Sequence, residues 1–158
     1  MKDNTRLLRR VVPCSLALAA ALVLGTSAVA ETTFGVRTGV YADESAGFVG
    51  GEVVAPIAQS WSFNPNLEVA LANDRDIVAV SGDFHYDFFQ DRPYWVWAGG
   101  GPAVIHREIE NDSDHTVVGM NVLGGIAWRT ASKVAPYVQG KFTISNDNEA
   151  VLAFGVRF

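Results

Sequence analysis

The sequence predicts an all-β fold, an eight-stranded antiparallel up-and-down barrel, on three observations. After residue 30 apolar and polar residues alternate with period two, as they do in strands with two chemically different faces. Turn-forming clusters cut this alternation into eight segments, joined by short links. No segment of that region carries a convincing helical period. An even number of antiparallel strands can close on itself and leave no edge exposed.

The expected strands cover about 33–41, 47–56, 60–71, 76–88, 93–106, 115–128, 133–144 and 149–158. The first ends at Ala42-Asp43-Glu44-Ser45 and the third at Ala72-Asn73-Asp74-Arg75. Gln90-Asp91-Arg92-Pro93 follows the fourth, Asn111-Asp112-Ser113-Asp114 the fifth and Ser145-Asn146-Asp147-Asn148 the seventh. Alternation is clearest in the third strand. Trp61, Phe63, Pro65, Leu67, Val69 and Leu71 share one face, and Ser60, Ser62, Asn64, Asn66, Glu68 and Ala70 the other. The fourth repeats it, with Val78, Val80, Gly82, Phe84, Tyr86 and Phe88 set against Ser81, Asp83, His85 and Asp87.

Residues 1–30 read as a secretory signal that is removed. Lys2, Arg6, Arg9 and Arg10 precede an apolar run from Val11 to Gly25, and Ala28-Val29-Ala30 supplies small residues for cleavage. That run is too short for a membrane-spanning helix, which needs roughly 20 residues. Removal leaves one domain, 31–158, with 8 basic and 16 acidic side chains, a net charge of −8. Nucleic acid is excluded as a partner, because phosphates require a basic surface. The single cysteine, Cys14, lies early in the signal's apolar run. A disulfide scaffold and a thiolate metal site are therefore excluded, and lipid anchoring is not expected.

Residue size decides which face points out. The more polar face carries Gly35, Gly39, Gly50, Ser62, Ala79, Ser81, Ala98, Gly100, Gly119, Gly125, Ala135 and Gly155, while the apolar face is assigned all four tryptophans. An eight-stranded interior has room only for side chains. The small face therefore turns inward and the bulky one toward lipid, which makes the barrel transmembrane. With the N-terminus in the periplasm, Phe34, Trp61, Tyr86, Phe88, Trp95, Trp97, Trp128 and Phe158 fall near the periplasmic rim. They read as an aromatic girdle where hydrocarbon meets headgroup. Phe142 and Phe154 are the main candidates for the other rim. The outer links are acidic and the turn Arg129–Lys133 is basic.

The pattern resembles the small eight-stranded outer-membrane barrels of Gram-negative bacteria, the class of the OmpA transmembrane domain and OmpX. The most specific piece is the last strand, Ala150 to Phe158, with apolar residues at alternate positions, Gly155 near its end and Phe158 last. It resembles the signal by which barrel-assembly machinery recognises such chains. The run from Trp95 to Pro102, with aromatics leading into Gly99-Gly100-Gly101, is also common in such families. The resemblance implies export through the periplasm to the outer membrane, where lipid and lipopolysaccharide would surround a monomer. The outer links are short, unlike those of many adhesive relatives, so no receptor-binding role is carried over.

Several groups invite chemistry. The glycine run lacks the helix that follows a phosphate-binding loop, so a packing role is expected, with neighbouring aromatics covering bare backbone. Arg37, Glu52, Glu68, Asp83, His85, Asp87, Asn121, Lys141 and Arg157 are expected in the lumen. A narrow interior must pair its charges, so they read as a structural network that plugs the barrel. Pairing Tyr41 with Phe48 in the first hairpin would put Arg37 opposite Glu52, and similar counting lets Asn121 face Lys141. In the third outer link His106, Glu108, Glu110, Asp112, Asp114 and His115 are weak candidates for binding a divalent cation. No standard ligand spacing is present, and no cofactor is expected.

The expected function is a structural or surface-interaction role without catalysis. One alternative is a lipid A-modifying barrel enzyme, using Ser113 with His106 or His115 as nucleophile and base. No hydrolase motif toward the C-terminus supports it. The other is a soluble periplasmic barrel that holds an apolar ligand inside.

Overall fold

A computed structural model describes residues 32–71, 75–89, 92–109 and 115–158. Eight strands follow one another: β1 (Thr33–Tyr41), β2 (Ala46–Ala58), β3 (Trp61–Leu71), β4 (Arg75–Phe88), β5 (Tyr94–Ile109), β6 (His115–Trp128), β7 (Ala135–Ile144) and β8 (Glu149–Arg157). Each pairs antiparallel with its sequence neighbours, and β1 pairs β8 to close the barrel. Phe34 and Phe158 exchange backbone hydrogen bonds at 2.8 and 3.1 Å, which extends that seam to the last residue. The expected signal segment lies outside the described residues, as do Asn73, Asp91 and Asn111 of the expected links.

Two departures from the expected strands have local causes. The first hairpin pairs Tyr41 with Ala46 across a four-residue turn, in which Ser45 takes a left-handed φ of 52°. That shifts the register by two residues, so Arg37 stands opposite Gly50 and not Glu52. Strand β5 also runs on past His106 to Ile109, because Arg75, Asp76 and Ile77 supply partners for Ile109, Glu108 and Arg107.

Outward positions form an apolar belt. Val49, Val118, Met120, Val122, Phe142, Ile144, Leu152 and Phe154 are all exposed. A continuous surface of this kind suits hydrocarbon rather than water. The β3–β4 wall adds interlocking rings at Trp61, Tyr86 and Phe88, with centroids 5.2 and 4.9 Å apart. Phe34, Trp61, Tyr86, Phe88, Trp128 and Phe158 of the expected girdle are exposed, and all lie toward the end of the barrel that carries the chain termini.

Strand β5 overturns part of the facing assignment. Trp97 is 1 % exposed and lies inside the lumen, and Trp95, two residues away, shares that inward face. Ala98 and Gly100 therefore sit on the outward face, not the inward one. Glycines make room for the inward rings. A Cβ at Gly125 would lie 2.2 Å from the Trp97 ring, and one at Gly155 would lie 2.5 Å from that of Tyr137. The run Gly99-Gly100-Gly101 has a different cause from the aromatic cover expected for it. A Cβ on these residues would meet the carbonyl oxygens of Phe84, Asn121 and Gly82 at 1.9, 2.1 and 2.0 Å. Backbone from β4 and β6 thus approaches too closely for any side chain.

Candidate functional site

The lumen is filled in layers. Toward the end that carries the chain termini, Trp97, Leu123, Ala127 and Tyr137 form a buried apolar cluster, with Trp95 packed against it. Toward the opposite end, where β1 turns into β2, a second cluster joins Tyr41, Phe48, Ile77, Ile105 and Val151. A polar layer lies between them. Inward positions of β1 to β4 supply it through the period-two alternation, while β6, β7 and β8 close it from the other side.

Glu68 is the hub of the polar layer. It is 1 % exposed and accepts hydrogen bonds from Arg37, from Lys141 Nζ at 2.9 and 3.0 Å, and from the Tyr41 hydroxyl at 2.5 Å. A buried carboxylate requires this many donors, because it has lost its water shell. Glu52 forms a second hub. Arg157 Nε donates to it at 2.8 Å, Asn64 Nδ2 at 3.0 Å, and the Arg37 guanidinium stands 3.6 Å away. Arg37 thus meets Glu52 diagonally, although the two are not directly paired.

Amides hold Asp83. Asn66 and Asn121 donate to its two oxygens at 2.9 and 2.8 Å, and Thr143 donates to Asn121 at 2.8 Å. Asn121 therefore stands opposite Thr143, not Lys141 as counted from the sequence; Lys141 pairs with Leu123. His85 is buried and stacks on Trp97 with centroids 6.0 Å apart. The Arg157 guanidinium lies 4.5 Å from the ring centres of both Trp97 and Tyr137, a cation–π arrangement strengthened by exclusion of water. Asp87 is half-buried near the termini end and accepts from Ser62 at 3.1 Å.

All nine polar residues expected in the lumen lie on inward positions. The structure adds partners that the sequence reading did not single out. Tyr41 and Gln139 belong here, the latter accepting from Trp97 Nε1 at 3.2 Å. Arg107 also points inward, where it donates to Glu44 at 2.6 Å and Glu149 at 3.1 Å. This triad caps the second apolar cluster at the end opposite the termini. The odd-numbered parity of Arg107 could have revealed it, and would have placed Trp97 inside as well.

The two histidines of the candidate cation-binding set in the third outer link are not brought together. His106 and His115 lie on adjacent strands but on opposite faces, since Arg107, the neighbour of His106, is the residue paired with His115. His106 Nδ1 lies 2.9 Å from the Thr116 hydroxyl, and His115 Nε2 lies 3.7 Å from Asp147. Glu110, Asp112, Ser113 and Asp114 lie outside the described residues. Among the described residues no cluster of three or more metal-ligating side chains is present.

No family model matches the chain, and no curated protein matches it by sequence. Solved structures do. The N-terminal β-barrel domain of Pseudomonas aeruginosa OprF superposes with a TM-score of 0.69 at 15 % identity, covering 80 % of this chain and 95 % of that one. Neisserial surface protein A gives 0.58 at 15 % identity, covering 80 % and 92 %. The outer membrane enzyme PagL gives 0.57 at 8 % identity, covering 80 % and 98 %. At these identities the likeness is one of architecture. The chain has the fold of the small eight-stranded outer-membrane β-barrels, the type represented by the OmpA transmembrane domain and OmpX.

Proposed function

We propose that the chain is a non-catalytic barrel of the Gram-negative outer membrane, reached through the periplasm, with a structural or surface-interaction role. The observation that carries this reading is the pairing of an apolar outer belt with an interior that holds a buried polar layer between two buried apolar clusters. A wall of exposed Val, Met, Phe and Leu is stable only against lipid. The polar layer is closed off by apolar clusters on both sides, and ion passage would require stripping hydration at each.

In this orientation the termini face the periplasm and the hairpin end faces out. Besides Glu44 and Glu149, which Arg107 holds, the outer end carries Asp43, Asp76, Glu108 and Asp147. Set at the level of lipopolysaccharide phosphates, these acids would repel them unless divalent cations bridge the two. Barrel-assembly machinery would take the chain through its last strand, with Phe158 continuing the β1–β8 seam. The barrel closes on itself without an unpaired edge, which supports a monomer.

Bilayer conductance of the purified barrel tests the sealed lumen. Traces without stepwise openings are expected. Stable openings of uniform size would contradict the filled interior. The enzymatic reading draws no support from the two histidines acting together, since His106 and His115 lie on opposite faces of the wall. Incubation with lipopolysaccharide checks it directly, and release of a fatty acid from lipid A would establish it.

A further inference from the structure

The β1–β2 turn reaches across the outer mouth of the lumen. Glu44 on this turn accepts from Arg107 Nε on β5 at 2.6 Å, and β5 stands diametrically opposite β1 in the closed ring of eight strands. Below the contact lie Phe48, Ile77, Ile105 and Val151 of the second apolar cluster. We propose that residues 42–45 form a lid over this mouth that opens as a unit in the folded barrel, hinged on β8 and latched to β5 through Glu44 and Arg107.

Hinge and latch differ in kind. On the β8 side the Ala42 amide donates to the Ala150 carbonyl at 2.8 Å, and the Ala150 amide donates to Asp43 Oδ2 at 3.0 Å. On the far side a side-chain ion pair bridges the mouth. Glu149 accepts from Arg107 Nη2 at 3.1 Å, so the guanidinium keeps its place when Glu44 withdraws. The movement stops at Tyr41, whose hydroxyl is tied to Glu68 at 2.5 Å and whose ring packs edge-on against Phe48.

Two features favour release. Ser45 holds a φ of 52°, a left-handed conformation uncommon outside glycine, and opening frees it. Arg107 Nη1 and Glu149 Oε1 are buried beside the latch without a hydrogen-bond partner. Unpaired buried polar atoms are unfavourable, and an opening that lets water reach them recovers part of the loss.

The surrounding charge acts both ways. Asp76, Glu108 and Asp147 at the same end repel a turn that carries Asp43 and Glu44, while Arg75 attracts it. His115 sits against Asp147, and Arg107 is the cation that pairs with the turn itself. Opposing contributions of this size suit a segment that opens locally without global unfolding.

The test is cysteine labelling, since residues 31–158 carry no cysteine of their own. I105C puts a thiol beneath the latch, and L123C puts one in the cluster toward the termini end. Each barrel, folded in detergent micelles, is treated with a charged methanethiosulfonate, with and without urea below the unfolding transition. The I105C rate should hardly respond to urea, because a local opening exposes little surface. R107Q should raise that rate about tenfold and E44Q by a smaller factor, and both should leave the L123C rate unchanged. An I105C rate that climbs with urea in parallel with L123C, or equal acceleration of both thiols by R107Q and E44Q, would mean entry through unfolding and would overturn the lid. An I105C rate indifferent to both substitutions would overturn the latch. Should R107Q lose the mobility shift on boiling in SDS, E44Q decides alone, because it keeps the Arg107–Glu149 pair.

Discussion

Glu68 on β3 and Lys141 on β7 meet across the lumen, with the ammonium nitrogen 2.9 and 3.0 Å from the two carboxylate oxygens. They are 73 residues apart in sequence and lie on strands that are not neighbours in the wall. The pair therefore ties opposite sides of the barrel together through its centre. Arg37 and Tyr41 bind the same carboxylate from β1.

This shared hub predicts unequal costs for its members. E68A leaves Arg37 and Lys141 facing each other without their common anion, and unpairing buried charges typically costs about 3–5 kcal/mol. K141M removes one donor while Arg37 and Tyr41 still serve Glu68, so a loss of about 1–3 kcal/mol is expected. Urea unfolding of both variants in the same detergent measures the order. Equal losses would mean that Glu68 does not act as the hub.

Gly125 and Gly140 predict opposite outcomes for the same substitution. G125A places a methyl 2.2 Å from the Trp97 ring, whereas a Cβ at Gly140 meets nothing within 4 Å. Overpacking of this kind costs about 1–3 kcal/mol, while G140A should fall within about 0.5 kcal/mol of the parent. The penalty at Gly125 should largely vanish in a W97A background. A penalty that persisted there would place its cause elsewhere.

Tryptophan exposure gives a direct reading of facing. Single-tryptophan variants that keep Trp61 or Trp128 should be quenched strongly by brominated lipid, because both rings are exposed on the outer wall. A variant that keeps only Trp97 should resist quenching, since that ring lies in the lumen. Equal quenching of all three would restore Trp97 to the girdle.

Which of these features the sequence reveals depends on how strongly each strand alternates. In β3 and β4 the faces differ so much that all inward positions, from Ser62 to Glu68 and from Ser81 to Asp87, follow from period alone. In β5 the contrast disappears. Three consecutive glycines interrupt it, and Trp97, Ala103 and Ile105 on one face are no less apolar than Val96, Pro102 and Val104 on the other. Aromatic character then argues for Trp97 on the outside, although Arg107 on the same parity marks the lumen. The register of Arg37 and Glu52 was hidden for a different reason. A shift by two residues keeps every side chain on its face, so alternation cannot distinguish one register from the other. Only the length of the turn closed by Ser45 decides it.

The cap at the hairpin end supplies a further check. Arg107 neutralises Glu44 and Glu149 at 2.6 and 3.1 Å, so R107Q leaves two carboxylates close together. The three side chains are less than a tenth exposed, and removing one partner from a buried group of charges costs about 3–5 kcal/mol. Unfolding of R107Q should recover toward the parent value in the double variant R107Q/E149Q. Additive losses would show that the two residues do not interact.

The central claim is that the apolar face turns outward into a membrane, and electrophoretic mobility of the outer-membrane fraction in SDS tests it most directly. A closed barrel whose backbone is fully paired resists SDS until heated. Unheated and boiled samples should therefore migrate differently, with the band present in the membrane fraction. A protein recovered from the soluble periplasm, with the same mobility before and after boiling, would contradict the outward-facing belt.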